Sequence, residues 1–252
     1  MSFGGLLHLE LQKGKGTLAW ALAFVAPWVV TLLNFFVFLK MGDHPSQTDA
    51  STWAVFFQQT YVFWGILMLP LFVTLETSLL AALEHQEGHW KQVLIQPVRR
   101  SRLHLAKLIT GLFLLAASLV SLWVSIFVMG TILGWIKPEY GFTLASLPWS
   151  ASLYYLGLSL VASFWILSLH HWAALRWRGH VTPLALGIAA TVAGFIIIQS
   201  DYRFYYPWAL PGVLLNGFSK GEIAWQTVAW GGLGGLLCGV AAVVHLSRRE
   251  MD

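Results

Sequence analysis

Six apolar runs, at about residues 18 to 39, 53 to 82, 105 to 136, 149 to 175, 182 to 199 and 223 to 246, constrain this chain more than any other feature. Each supplies about the 20 residues that cross a bilayer at a rise of about 1.5 Å per residue, with the fifth the most marginal. Only 10% of the residues are charged and 57% are hydrophobic. A soluble domain usually has about a quarter of its residues charged, so this chain cannot clothe a water-exposed surface. In lipid the backbone must satisfy its own polar groups, and successive apolar runs do so as helices. The expected fold is therefore an all-α integral membrane protein of six transmembrane helices, forming a single domain over residues 1–252.

The basic residues orient the bundle. One side holds Lys13, Lys15, Lys91, Arg99, Arg100, Arg102, Lys107, Arg176, Arg178, Arg248 and Arg249. The other holds Lys40, Lys137, Arg203 and Lys220. The excess places both termini in the cytoplasm. Residues 1–16 mix Phe3, Leu6, Leu7, Leu9 and Leu11 with His8, Glu10, Lys13 and Lys15, which predicts an interfacial segment lying along the membrane. The late charges, and the absence of a small-x-small exit, do not fit a cleaved signal peptide. Gly14-Lys15-Gly16-Thr17 lacks the upstream glycine and the Lys-Ser/Thr adjacency of a phosphate loop. A net charge of +4 on so little soluble surface argues against nucleic-acid binding. The single cysteine, Cys238, excludes an intrachain disulfide and a cysteine-based metal cluster.

The polar stretch between the second and third runs, residues 84–104, is the largest piece expected in the cytoplasm. Leu83, Trp90, Leu94 and Pro97 fall on one narrow stripe if the segment is helical, and the other faces carry charges and amides. Gly88 weakens a continuous helix before the ridge, Pro97 ends it, and Ser101 is placed to cap the next helix. A short amphipathic helix tied to a transmembrane helix at each end can dock on a soluble partner or rest on anionic lipid.

The pattern Glu84-His85…Trp90-Lys91…Leu94…Pro97-Val98-Arg99-Arg100…Ala106-Lys107-Leu108, following Leu69-Pro70-Leu71, resembles the permease subunits of ABC-2 type exporters. It is nearest the branch associated with lantibiotic and bacitracin-type peptide immunity. The outer Tyr206-Pro207-Trp208…Leu210-Pro211 is similar to the same branch. The resemblance implies a bacterial plasma (inner) membrane protein, with antibiotic resistance or immunity as its setting. It also implies a coupling helix at 84–104 that docks a separately encoded ABC ATPase, present in two copies. Glu84, Glu87, Trp90, Lys91, Leu94, Pro97 and Arg99 are the docking positions so implied. A second permease subunit, identical or not, would complete a dimer. This chain would carry no cofactor and catalyse nothing, because ATP and Mg would lie on the partner. The implied work is outward movement, or extraction from the membrane, of a peptide toxin or lipid-like molecule.

Other residues leave alternatives open. Glu76 is the one acid well inside an apolar run, where a carboxylate is costly unless paired or wet. It either pairs with a basic or backbone group or serves the pathway and its gating. Gly231, Gly235 and Gly239 form a small-xxx-small row for close helix packing, within the chain or at a dimer seam. Tyr206, Pro207, Trp208 and Pro211 cannot lie on one straight helix and predict a bent or re-entrant outer element within residues 200–222. His85 and His89 share a helix face but lack the His-Glu-x-x-His of zinc peptidases, so no metal site is assigned to them. His170 and His171 are expected at the inner membrane interface. A haem-handling or cytochrome-maturation protein is the alternative reading of the Trp and His content, although the outer loops contain only His44. An intramembrane protease has no matching motif.

Overall fold

The computed structural model describes residues 2–40, 51–85, 99–177, 179 and 181–248. Everything regular among them is helical. Helix α1 (Phe3–Gly14) is capped by the Ser2 hydroxyl, which accepts from the Gly5 amide at 3.2 Å. Helix α2 (Leu18–Lys40) follows, then α3 (Thr52–Phe63), a π-turn at Trp64–Met68 and α4 (Leu69–His85). Helix α5 (Arg100–Ile136), α6 (Trp149–Arg176), α7 (Val181–Ile197), the short α8 (Leu210–Asn216) and α9 (Trp225–Arg248) complete the chain.

Five helical spans are long and apolar enough to cross a membrane: Leu18–Lys40, Thr52–Leu83, Arg100–Ile136, Trp149–Arg176 and Trp225–Arg248. The fifth apolar run of the sequence forms the shorter α7, 17 residues long. Helices α2, α7 and α9 leave whole apolar faces uncovered, among them Phe24, Val29 and Leu33 on α2, and Leu233, Leu237, Val240 and Val244 on α9. Such faces belong against lipid or another apolar chain.

The second span is not one regular helix. Pro70 has no amide hydrogen to give to the preceding turn, and the backbone widens just before it, with the Leu69 amide bonding the Trp64 carbonyl. The third span begins earlier than its apolar run suggests. Arg99 occupies the cap position without a side-chain hydrogen bond and Ser101 lies inside α5, so the expected Ser101 cap is corrected.

Hydroxyl and indole groups stitch the bundle where apolar surface alone gives no preferred register in lipid. Thr31 on α2 and Ser125 on α5 are 2.7 Å apart, and Ser121 donates to the Phe24 carbonyl at 3.2 Å. Trp123 Nε1 donates to Ser152 on α6 at 2.9 Å, and Trp165 Nε1 to Cys238 on α9 at 3.2 Å. At the end of the bundle where α2 stops and α3 starts, Trp53, Phe56, Phe38 and Phe142 pack edge to face around the short helical turns that join α5 to α6. Thr52 and Trp53 fix that connection by donating to the carbonyls of Tyr140 and Thr143 at 2.6 and 2.9 Å.

Candidate functional site

Helix α4 ends at His85 and α5 begins at Arg100, so both helices run to the edges of the expected docking stretch. Glu84 lies in the last turn of α4 and Arg99 caps α5. The side chain of Glu84, and Glu87, Trp90, Lys91, Leu94 and Pro97 altogether, lie outside the described residues, as do the His85 side chain and His89. Beside this edge α1 is clamped onto α5. The Glu10 carboxylate takes Lys107 Nζ on one oxygen at 2.8 Å and Lys13 Nζ on the other at 2.8 Å. The Glu10 and Lys107 side chains are only 7% and 9% exposed, so this pair acts in a medium that screens charge poorly. Leu6 packs with Leu103 and Ala106 alongside it.

Next to the ion pair lies a cavity of about 20 Å³, lined by Glu10, Lys107, Thr77, Thr110 and His171 among others. That is room for a single water with polar partners around it. Glu76 sits one helical step from Thr77 and is fully buried. Neither of its carboxylate oxygens has a hydrogen-bond partner among the described residues. It lies against Gly111 on α5, where an added Cβ would stand 3.5 Å from Oε1. A polar side chain so placed carries a desolvation cost that packing alone would not select.

His170, next to His171 on α6, meets both α4 and the segment around α8. Its Nε2 is 3.2 Å from Thr74 Oγ1 on α4, and Gly187 of α7 approaches both side chains so closely that no Cβ fits there. The Trp208 ring meets His170 edge to face, with centroids 5.4 Å apart. His170 and His171 are both buried among the helices. Trp208 belongs to a segment broken into short turns at Asp201–Tyr205, Pro207–Ala209 and Phe218–Lys220 around α8. Pro207 and Pro211 each occupy the first turn of a new helical piece, where a missing amide hydrogen costs nothing. Tyr206 donates its hydroxyl to the Ala190 carbonyl of α7 at 2.8 Å, while Tyr202 and Tyr205 remain exposed. Gly65 of the π-turn lies against the Pro211 carbonyl, and Gly212 against Ile66, so this segment is seated where α3 gives way to α4.

The family profile described as "ABC-2 family transporter protein" matches residues 6–194, running from α1 to the last turn of α7. The chain belongs to the ABC-2 transporter family. It is therefore a multi-pass membrane subunit of the kind that normally works with an ABC ATPase subunit. No curated protein and no solved structure matches it.

In this ABC-2 chain the glycine row of α9 faces α6. A Cβ at Gly231 would lie 2.4 Å from the Ala162 Cα, one at Gly235 2.5 Å from Phe164, and one at Gly239 3.3 Å from Ser168 Oγ. The two helices approach backbone to backbone, and Trp172 Nε1 extends the contact by bonding His245 at 3.0 Å. The transporter subunit also contains elements that sequence reasoning did not single out. Lys107 stood out as one basic residue among many and as part of the Ala106-Lys107-Leu108 pattern, and Glu10 only as part of an amphipathic segment. Their opposite charges, each beside an apolar run, were the available signal for the clamp. Nothing in the sequence announced the contact between His170 and Trp208, which lie far apart along the chain.

Proposed function

We propose that the chain is the permease of an ABC exporter, and that the segment between α4 and α5 receives the ATPase. The observation carrying this reading is the family match joined to the length of the helices flanking that segment. Helix α5 has 37 residues, about 55 Å of helix, against a hydrocarbon layer of about 30 Å. The surplus, with Arg99, Arg100, Arg102 and Lys107 at one end, makes a rigid lever standing in the inner headgroups and cytoplasm. A load applied to the short segment would tilt α4 and α5 as solid rods. On this reading six helices span the bilayer with α7 as the short member, both termini are cytoplasmic, and α1 lies along the inner surface. The segment around α8 is the re-entrant outer element, supported by the burial of Trp208, Leu210 and Leu214. Two ATPases and two permease chains then enclose a path for an amphipathic peptide or lipid-like substrate moving outward. The peptide-immunity role rests on the resemblance in the 84–104 and 206–211 stretches.

Leu94→Asp tests the docking assignment. A charge in the middle of the apolar stripe should abolish co-elution of the ATPase, while the permease keeps its monodisperse profile in detergent. Co-elution at the wild-type ratio would place the docking surface elsewhere.

A further inference from the structure

We propose that the cavity beside the outer element is a binding site for the phosphate headgroup of an amphiphile. It deepens the exporter reading by naming the chemistry that the outer face would recognise.

The cavity has a volume of about 610 Å³, within the range of about 300–1,000 Å³ typical of small-molecule sites. It lies between α3, the π-turn, the end of α7 and the turns around α8. Its wall is divided. Ile66, Ile198, Val213 and Ile223 supply apolar surface, and Arg203, Lys220 and Glu222 supply charge. Two cations against one carboxylate leave an excess positive charge around a partly apolar hollow. That combination suits a headgroup with alkyl chain attached better than either part alone.

Arg203 is the decisive residue. Its guanidinium carbon sits 4.9 Å from the centroid of the neighbouring Phe204 ring, which restrains the fork in position. Arg203 is half-buried, its Nε atom is shielded and has no hydrogen-bond partner among the described residues, and no ion pair among those residues neutralises the side chain. A buried guanidinium donor left unused is costly, and a phosphate oxygen satisfies it with a charge-assisted bond. Gln58 is already engaged, donating to the Asn216 carbonyl at 2.7 Å, and this bond fixes the rim on which Asn216 stands. Glu222, whose backbone carbonyl accepts from Tyr155 at 2.7 Å, brings a carboxylate to the same wall. It is placed to accept from a hydroxyl or ammonium group carried by the phosphate ester.

The test uses the full chain, purified in uncharged maltoside detergent, with its melting midpoint followed by tryptophan fluorescence. Three probes are titrated: dihexanoyl phosphatidylglycerol, uncharged dihexanoylglycerol and inorganic phosphate. The phosphatidylglycerol is expected to raise the midpoint with an apparent affinity at least tenfold better than either of the others. Arg203→Gln should remove that advantage while leaving the weak response to dihexanoylglycerol unchanged. Should Arg203→Gln elute as aggregate, Lys220→Gln on the exposed side of the cavity is expected to weaken phosphatidylglycerol binding several-fold. Equal binding of the uncharged lipid would overturn the role of phosphate, and equal binding of inorganic phosphate would overturn the amphiphile. A phosphatidylglycerol response unchanged in the variant that folds would remove the site. The chain is assayed without an ATPase, so lipid binding in a protein that fails to co-elute with one would overturn only the coupling reading.

Discussion

Removing the Lys107 ammonium, which Glu10 meets in the buried contact between α1 and α5, exposes how α1 is held. Lys107→Met should cost about 3 kcal/mol, the lower end for breaking a buried pair, because Lys13 still reaches the carboxylate. The check is a lower melting midpoint together with faster tryptic cleavage at Lys13 and Lys15 as α1 lifts away. Glycine positions divide just as sharply by what surrounds them. Gly231→Ala must force its new carbon into the Ala162 backbone and should destabilise by about 1–3 kcal/mol. Gly157→Ala on α6, which meets nothing within 4 Å, should be neutral or stabilising by up to about 1 kcal/mol. Differential scanning fluorimetry of the two variants distinguishes them. The spacing of Gly231, Gly235 and Gly239 was legible in the sequence, but the identity of the opposing helix was not. A row of small residues states that something comes close without stating what.

Helices show the same boundary between pattern and context. The apolar runs are readable because their length answers the thickness of a bilayer, and the ends of α2, α6 and α9 follow closely from composition. The π-turn at Trp64–Met68 escaped because it depends on what sits against it as well as on Pro70. Gly65 and Gly212 let α8 press into the bend, a contact between segments distant in the chain. The start of α5 at Arg100 lies close to the expected Ser101 cap, and Arg100 and Arg102 carry the helix ahead of its apolar run because both have good helix propensity. Trp208→Ala tests whether the α8 segment is held by packing. The loss of the ring on His170 should cost about 3 kcal/mol or more. It should be read as raised hydrogen exchange confined to α8 and the adjoining turns, with α2 and α5 protected as before.

As a whole the molecule is a bundle with a polar cluster at one end, a broken-helix element at the other, and a line of buried side chains between them. Thr74 and His170 lie on that line, which ends on Trp208. Movement of α4 by a docked motor would act on the line directly, since Thr74 belongs to α4. The central claim is that the segment joining α4 to α5 faces an ATPase in the cytoplasm. The most direct measurement is photo-crosslinking in intact cells with a benzoylphenylalanine in place of Leu94, compared with the same group in place of Tyr205. The account predicts a crosslink from position 94 to a chain of Walker-motif sequence and none from position 205. Position 94 attaching only to phospholipid, or reacting with a membrane-impermeant reagent added outside the cell, would contradict it.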